Sequence, residues 1–418
     1  MDKTVMELFA GVGGFHIGLN HIESFDEKTG TAIDNGQWTF TWTNQFEPST
    51  KSQPAYECLA TRFANDVVSN EDITTVNPYD IPDANLLVGG HPCQNFSVAA
   101  TLNKSTGIEG EKGVLFWNIM DIAVKKDVPF LLLENVDRML KCPANQKGRD
   151  FGMMLRAYTD AGYDIEWRVI NGADYGFTQK RRRVFVFAWQ QSTNYGKAMK
   201  KEKPADIILT KGIFAKAFPV ETDDVVIRDT EIDEKQYRSS DDLFNDFSFD
   251  FGNAGCLING HAYAAKITPI METPVPMRDI LENSEDVPAN CYITKEQDEK
   301  MVYFRKSKRL ERTRADGTKW FYSEGAMDYP DPIDKPARTM LTSEGSINRT
   351  SHVICDPKTN KNRILTPIEC ERIQGFPDNW TNTGMTDKKR RFVMGNALIC
   401  GVVARLEPEI SKIFDNER

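Results

Sequence analysis

The chain has 418 residues, of which 40% are hydrophobic and 27% charged, and its mean hydropathy is −0.48. At about 150 residues per domain this length predicts two or three folding units, and no stretch approaches the roughly 18 uncharged apolar residues of a membrane-spanning helix. A formal net charge of −9 excludes a protein that coats nucleic acid through bulk positive charge, so any contact with a polyanion must be local.

The N-terminus and the cysteines bear on the cellular compartment. Glu7 interrupts the first apolar run before the core of a signal peptide could form, which argues against export. The eight cysteines lie at least 15 residues apart and include no CxxC pair, so the sequence favours neither a zinc cluster nor a disulfide framework. We therefore expect a cytoplasmic protein with reduced thiols, no metal and no membrane contact.

Residues 1–190 alternate short apolar runs with amphipathic stretches. That alternation is typical of a mostly parallel sheet flanked by helices. Two runs, residues 86–88 and 130–133, are apolar throughout, as strands covered on both faces should be. We therefore predict an α/β domain in which these two runs are central strands.

A glycine turn follows the first predicted strand, in the sequence E-L-F-A-G-V-G-G-F from Glu7 to Phe15. Glycine permits positive φ and close approach of the backbone, so a strand, a glycine turn and a helix N-terminus can together cradle a nucleotide-like ligand. A tight turn without a ligand is the alternative, because the spacing differs from the dinucleotide-binding G-x-G-x-x-G.

A cysteine follows another predicted strand, in the sequence G-G-H-P-C-Q-N-F-S that places Cys93 just beyond residues 85–88. The carboxyl ends of strands are where open α/β sheets carry their sites. A deprotonated thiol there can act as a nucleophile. A lone cysteine is more often a small buried hydrophobe, but the glycines and proline beside Cys93 favour the nucleophile.

Charged side chains mark two further strand ends. Glu134 ends the apolar run 130–133, and burial there would raise its pKa so that it could hold or deliver a proton. A helix cap or an ion pair is the alternative for Glu134. The sequence Q-K-R-R-R contains Arg181 and Arg183, whose planar guanidinium groups suit phosphates and base edges, although a solvated basic turn has the same composition.

The amino-acid composition of the chain changes after residue 190. An acidic stretch, residues 221–250, precedes a basic run, residues 300–319, which contains eight basic residues and two acidic ones. We predict a separate lobe from 191 to 334, with a basic face that can meet a polyanion. Residues 335–418 regain strand and helix patterning, and we expect this segment to return to the first lobe.

In this order the motifs resemble those of the cytosine-5 DNA methyltransferase family, of the bacterial restriction-modification type. E-L-F-A-G-V-G-G-F is similar to the S-adenosylmethionine loop, P-C-Q to the catalytic loop, E-N-V to the proton-handling motif and Q-K-R-R-R to the Q-x-R-x-R motif. R-T-M-L-T-S from Arg338 and the pair Gly395-Asn396 are similar to two later motifs. The resemblance implies a Rossmann-like methyltransferase domain with a smaller, mixed target-recognition domain.

The resemblance also implies roles for four residues. Cys93 would attack carbon 6 of a cytosine and Glu134 would protonate the ring at nitrogen 3, which makes carbon 5 a nucleophile toward the methyl group. Arg183 would hold the carbonyl oxygen of the base, and Arg181 would stabilise the closed catalytic loop. The target base would be flipped out of the duplex, and residues 95–112 have the small polar composition of a lid that closes over it.

By the same resemblance the cofactor is S-adenosyl-L-methionine, released as S-adenosyl-L-homocysteine. The residues implied to bind it are Phe9, Ala10, Gly11, Val12, Gly14, Gln45, Phe46, Asp72, Ile73, Gly90, Pro92, Leu115, Asn396 and Ala397. One departure concerns the ribose, because the family commonly has an acidic residue where this chain has Gln45. Either Gln45 takes over the ribose, with Phe46 stacking on the adenine, or Glu47 holds it.

The implied partner is double-stranded DNA, bound by a monomer in the cytoplasm of a bacterial or phage-infected cell. Candidate DNA contacts are Gln94, Ser97, Arg305, Lys308, Arg309 and Arg312, either to phosphates or to base edges. The recognised sequence stays open, as does whether a cognate restriction endonuclease acts on the same site without stable association. Two alternatives are a methyltransferase of tRNA-like RNA and a catalytically silent DNA-binding regulator; the long middle lobe argues against the first and the intact catalytic set against the second.

Overall fold

A ten-stranded sheet forms the centre of the computed structural model, which describes residues 1–90, 114–143, 146–232, 247–313 and 317–417. The strand order is β3-β2-β1-β4-β5-β7-β6-β9-β10-β8. The strands of this sheet are β1 Thr4–Leu8, β2 Thr39–Asn44, β3 Val68–Ser69, β4 Leu86–Gly89, β5 Phe130–Val136, β6 Tyr163–Asn171, β7 Arg182–Gln190, β8 Ile227–Glu231, β9 Ala254–Ile258 and β10 His261–Ala265. Two small antiparallel ribbons lie outside it: β11 Lys308–Thr313 with β12 Lys319–Glu324, and β13 Val353–Cys355 with β14 Asn362–Ile364.

Helices cover the sheet and build the C-terminal part of the chain. They are α1 Gly14–Asn20, α2 Pro54–Arg62, α3 Val114–Lys125, α4 Arg149–Asp160, α5 Asn194–Met199, α6 Pro204–Asp206, α7 Ile213–Ala217, α8 Lys295–Arg305, α9 Pro367–Gln374, α10 Asp387–Asn396 and α11 Cys400–Asn416. No helix in the described ranges is long and apolar enough to cross a membrane.

Both faces of the central strands are buried. On β5, Leu131 and Leu133 pack with the side chains of α3 and α4, whereas Phe130 and Leu132 pack with those of α1 and α11. Successive side chains of a strand point to opposite faces, so a strand between two helical layers must be apolar at every position. The prediction that residues 86–88 and 130–133 form central strands is confirmed.

The sheet is parallel in one half and antiparallel in the other. Strands β3, β2, β1, β4 and β5 pair in parallel, as the alternating pattern predicted. From β7 onward every pairing is antiparallel, and β9 pairs with β6 across about ninety residues of sequence. The strands β8, β9 and β10 therefore continue the first lobe's sheet past residue 190, and the predicted lobe 191–334 begins inside that sheet.

Part of the last third of the chain packs against the glycine turn. The indole Nε1 of Trp380 donates to the carbonyl oxygen of Val12 at 2.8 Å, and Arg62 of α2 donates to the carbonyl oxygen of Trp380 at 2.8 Å. Both side chains are buried, so these hydrogen bonds cannot be exchanged for bonds to water. The C-terminal segment thereby holds the first loop of the sheet in place.

Candidate functional site

A cavity of about 500 Å³ opens at the carboxyl ends of β1, β4 and β5. Parallel strands end at this edge, so loops from distant parts of the sequence converge there. The described residues that line the cavity include Phe9, Ala10, Gly11, Val12, Gly14, Gln45, Phe46, Glu47, Thr50, Ser52, Gln53, Gly90, Glu134, Asn135, Arg181, Arg183, Lys389, Phe392, Gly395, Asn396 and Ala397.

The glycine turn forms one wall of the cavity. Phe9, Gly11 and Gly13 have φ values of 55°, 60° and 89°, which lie in the left-handed region. A Cβ at Gly11 would meet no heavy atom within 4 Å, whereas a Cβ at Gly13 would lie 2.6 Å from the ring of Phe63. Gly13 is therefore required for packing, and Gly11 leaves its backbone open toward the cavity.

Glu134 and Arg183 also line the cavity, near the end of β5 and at the start of β7. The Nε atom of Arg183 is 2.8 Å from Oε1 of Glu134. Burial raises the pKa of Glu134 above its ordinary value, and the guanidinium groups of Arg183 and Arg181 oppose that rise. A Cβ at Gly90 would lie 3.4 Å from Oε2 of Glu134, so the backbone of Gly90 lies directly beside this carboxyl.

Four predicted residues, Pro92, Cys93, Gln94 and Ser97, and the predicted lid 95–112 lie outside the described residues. The position of Gly90, three residues before Cys93, is the described feature closest to them in sequence. Gly90 lines the cavity next to Glu134, and the place of Cys93 in the site stays a prediction.

Arg181 braces two C-terminal segments at the cavity. Its guanidinium donates to the carbonyl oxygens of Met340, at 2.9 Å, and Gly395, at 3.1 Å. The side-chain oxygen of Gln179 accepts from the backbone N–H of Met340 at 3.1 Å, so both sides of that residue's backbone are held. The pattern Q-K-R-R-R contains Gln179, but nothing in the sequence singled it out as a positioning residue.

The predicted cofactor residues divide into two groups. Those that line the cavity are Phe9, Ala10, Gly11, Val12, Gly14, Gln45, Phe46, Gly90, Asn396 and Ala397. Asp72, Ile73 and Leu115 are not among its lining residues: Ile73 is buried in the core, Leu115 packs against the same core, and the carboxylate of Asp72 accepts from the amide and hydroxyl of Thr74. Their predicted contact with the cofactor stays a prediction.

The sequence missed residues that reach the cavity from an exposed loop and from α10. The Nζ atom of Lys389 donates to Oγ of Ser52 at 2.9 Å, a contact between positions 337 residues apart. Phe392, on the same helix as Lys389, lines the cavity and is 44% exposed. No local pattern could have paired these positions, because only the tertiary fold brings them together.

A buried carboxyl lies on β1, just before the glycine turn. Glu7 is fully buried, and this burial raises its pKa to about 8, although the backbone N–H of Phe15 partly stabilises the charged form. The carboxyl is therefore largely protonated in the folded state at pH 7, whereas its pKa in the unfolded chain is the ordinary 4.5 of a glutamate. Its contribution to stability is complete below about pH 4.5 and is lost as the pH rises through about 8.

We expect Glu7→Gln to remove this pH dependence, because the amide is neutral at every pH. The free energy of unfolding of wild type, relative to that of E7Q, should fall by on the order of 3 kcal/mol between pH 5 and pH 8. Urea denaturation at several pH values measures the difference. Glu71→Gln, at an exposed position, is the matched control and should leave the pH dependence unchanged; a constant difference between wild type and E7Q would contradict the assignment of the shift to Glu7.

The ribbon β11–β12 is exposed on both of its faces. Side chains at alternate positions point to opposite sides, so Arg309 and Phe321 share one face whereas Leu310, Arg312 and Trp320 share the other. Trp320, Phe321 and Leu310 are 40%, 51% and 45% exposed. The guanidinium carbon of Arg309 lies 4.2 Å from the ring centre of Phe321, so cationic and aromatic groups are interleaved along the ribbon.

The prediction that Arg305 contacts DNA is wrong. Its side chain is buried at the end of α8, where it forms an ion pair of 3.0 Å with Asp331 and donates to the carbonyl oxygen of Ser351 at 2.6 Å. An unpaired charge in the interior would cost several kcal/mol, so Arg305 and Asp331 must stay together. Lys308, Arg309 and Arg312 lie on the ribbon, and their predicted contact with DNA stays a prediction.

The chain matches the model of the C-5 cytosine-specific DNA methylase family over residues 3–412. It is 44% identical over 417 residues to the Type II methyltransferase M.Sau3AI of Staphylococcus aureus, which covers 99% of this chain and 97% of that protein. It is 32% identical over 193 residues to the Type II methyltransferase M.NgoBI of Neisseria gonorrhoeae, which covers 46% of this chain and 52% of that protein. The protein therefore belongs to the C-5 cytosine-specific DNA methylase family and is a DNA (cytosine-5-)-methyltransferase.

Solved structures agree on the fold. The Entamoeba histolytica methyltransferase EhMeth has a TM-score of 0.57 at 15% identity, covering 100% of this chain and 99% of that chain. The S. pombe Dnmt2 methyltransferase has a TM-score of 0.58 at 15% identity, covering 99% of this chain and 98% of that chain. The predicted α/β methyltransferase fold is confirmed, and at this identity the likeness extends to the fold alone.

Proposed function

We propose that this enzyme transfers a methyl group from S-adenosyl-L-methionine to carbon 5 of one cytosine in a specific double-stranded DNA sequence. The observation that carries the proposal is that the Glu134–Arg183 pair and the glycine turn line a single cavity. The similarity to M.Sau3AI supports a role as the modification enzyme of a Type II system.

The described residues of the cavity fit a nucleoside cofactor. The glycine turn leaves open space where a side chain at Gly11 would lie, and Phe9 and Phe46 line the same cavity. Asn396 and Ala397 also line the cavity, and Arg181 holds the backbone next to them by donating to the carbonyl oxygen of Gly395. When bound, the cofactor supplies a methyl group on a positively charged sulfur. Among the described residues no cluster of His, Cys, Asp and Glu is arranged to hold a metal ion.

The protein's part of the mechanism is to make carbon 5 of the cytosine nucleophilic. The thiolate of Cys93 adds to carbon 6 and forms a sulfur–carbon bond, while the proton of the Glu134 carboxyl passes to nitrogen 3 of the ring. Arg183 donates to the carbonyl oxygen of the base and stabilises the charge that develops there. After methylation, the proton on carbon 5 leaves to a base outside these assignments, the sulfur–carbon bond breaks to restore the thiolate of Cys93, and the proton on nitrogen 3 returns to Glu134.

The position of Glu134 supports base flipping. Its carboxyl lies inside a concave cavity at the end of β5, with only 13% of the side chain exposed. A stacked and paired cytosine cannot bring nitrogen 3 into such a cavity, because that atom is engaged with guanine inside the duplex. The target cytosine therefore has to leave the helix before the proton can be transferred.

The decisive experiment is to express the protein in a methylation-deficient bacterial host and to map cytosines that resist bisulfite conversion in its DNA. We expect protection at one position of one short sequence motif. Scattered protection would contradict sequence specificity. No protection of DNA, in the presence of folded protein, would refute the proposal, and methylation of host tRNA instead would identify RNA as the substrate.

We assign DNA contact to the ribbon β11–β12. A two-stranded ribbon fits the major groove, which is about 12 Å wide, and an isolated hairpin with two exposed faces gains little stability from packing. The described residues of the ribbon include four basic side chains and only two acidic ones. The basic residues are Lys308, Arg309, Arg312 and Lys319. Phosphates match the charge of this surface, and the base edges and thymine methyl groups exposed in the major groove can contact its aromatic rings.

Alanine at Arg309 and Arg312 together should weaken DNA binding and flatten its salt dependence. Each lost phosphate contact reduces the slope of log affinity against log salt by about 0.9, whereas a lost base contact relaxes the choice of one base pair. Fluorescence anisotropy at several salt concentrations, with the specific duplex and a scrambled one, separates these results. Lys300→Ala, exposed on α8 in the same basic run, is the control, and an R309A/R312A variant that matched it would remove the ribbon from the DNA interface.

A further inference from the structure

Two polar side chains follow β2 and line the cavity, Gln45 and Glu47. The Oε1 atom of Gln45 accepts from the backbone N–H of Gly11 at 2.7 Å. An N–H group is a donor, so the atom that faces it must be the amide oxygen and the NH₂ group must point away. The acceptor atom of Gln45 therefore serves the glycine turn.

A ribose presents two neighbouring hydroxyl groups, and both protons are best accepted by one carboxylate with two oxygens. Gln45 has one acceptor atom, and that atom already holds Gly11. The amide that remains can only donate. The side chain at the family's acidic position thus has one acceptor lone pair left, which is too few for both protons of a vicinal diol.

Two carboxylates are among the described residues that line the cavity, Glu47 and Glu134. Glu134 forms an ion pair with Arg183 at 2.8 Å, on the wall assigned to the cytosine. Glu47 has no Lys, Arg or His nitrogen within 4 Å in the described chain, and one of its two oxygens, Oε1, accepts from Oγ of Ser49 at 2.6 Å. Glu47 is thus the carboxylate with an oxygen free for a ligand.

The loop after β2 holds Glu47 at the cavity. The backbone N–H of Glu47 donates to Oε1 of Gln53 at 2.9 Å, and Nε2 of Gln53 donates back to the carbonyl oxygens of Glu47 and Thr50, each at 2.9 Å. A single side chain therefore closes the loop from inside. A carboxylate fixed in this way loses little conformational freedom when it binds a ligand.

We infer that Glu47 accepts the ribose hydroxyl groups of the nucleoside cofactor and that Gln45 is a positioning residue for the glycine turn. This inference rests on the proposed function, because it takes its ligand from it. The ribose contact in this chain has moved two positions along the loop from the family's acidic position, while the side chain at that position has become part of the turn.

The test is isothermal titration calorimetry with S-adenosyl-L-homocysteine and with its 2′-deoxyribose analogue. Wild type should bind the analogue about 10- to 100-fold more weakly, the range expected for a hydrogen bond to a charged group. Glu47→Gln should bind S-adenosyl-L-homocysteine about 10-fold more weakly or worse and should discriminate less between the two ligands. Gln45→Ala should weaken both ligands by the same factor, because it acts through the turn.

Glu57→Gln, exposed on α2 ten residues further along, is the matched control and should behave as wild type. Thermal melting without ligand checks that each variant is folded. Full discrimination in E47Q, or its loss in Q45A, would overturn the inference and return the ribose to Gln45. A wild type that bound neither ligand would refute the cofactor assignment of the proposed function, which is a different result from either.

Discussion

Replacing Cys93 with alanine is expected to abolish methyl transfer, with a loss on the order of 10⁴-fold or more. Without a thiolate to add at carbon 6, the aromatic cytosine has no nucleophilic carbon 5, so binding alone cannot support the reaction. Transfer of a labelled methyl group from S-adenosyl-L-methionine to the specific duplex measures the rate. The binding of S-adenosyl-L-homocysteine should be unchanged, which separates lost chemistry from lost structure.

Cys355→Ala provides the control, since Cys355 is a partly exposed free cysteine on β13. It should retain the wild-type rate. A duplex with 5-fluorocytosine at the target position should form a stable covalent adduct with wild type and with C355A but not with C93A, because the fluorine cannot leave carbon 5 as a proton does. Full activity of C93A would disprove the nucleophile assignment.

Glu134→Gln is expected to have the second largest effect, a loss of about 10²- to 10⁴-fold in the rate of methyl transfer. The amide keeps the shape of the side chain and can still accept from Arg183, but it has no acidic proton for nitrogen 3. Because the pKa of Glu134 is raised by burial, its proton is retained to a higher pH than in an exposed glutamate. The wild-type rate should therefore fall as the pH rises through that pKa.

Single-turnover rates measured across pH, with enzyme in excess over the duplex, test this assignment. In E134Q the fall at high pH should disappear along with most of the rate. Glu296→Gln, exposed in the first turn of α8, is the matched control and should keep both the rate and the pH profile. An E134Q variant with wild-type turnover would exclude Glu134 as the proton donor.

The central strands and the cavity walls built from local motifs could be predicted from the sequence. The glycine turn, Glu134 and Arg183 each sit at a strand end that the apolar pattern had already marked, and strand ends converge at one edge of a parallel sheet. The antiparallel half could not be predicted, because the pairing of β6 with β9 joins segments about ninety residues apart. A pattern of hydrophobicity marks a strand but does not name its partner.

The prediction that Arg305 contacts DNA was wrong for a related reason, because the sequence does not show which charged residues pair in the fold. Arg305 belongs to the basic run, yet its partner Asp331 lies 26 residues further along, and only the fold shows that the pair is buried. Conversely, Lys389 and Ser52 meet at the cavity from opposite ends of the chain. A composition predicts that a basic surface exists, whereas burial decides which of its members reach it.

The segment that follows the ribbon, residues 325–340, forms the frame that carries it. This frame is tied to the catalytic sheet at a few backbone positions. Residues 178–181 exchange hydrogen bonds with Ala337 and hold Met340 through Gln179 and Arg181. The ribbon itself extends from this frame into solvent on both faces. Its outward side chains can therefore be replaced at little cost to the core, and under the proposed DNA contact the recognised sequence can diverge between relatives while the chemistry of the cavity stays the same.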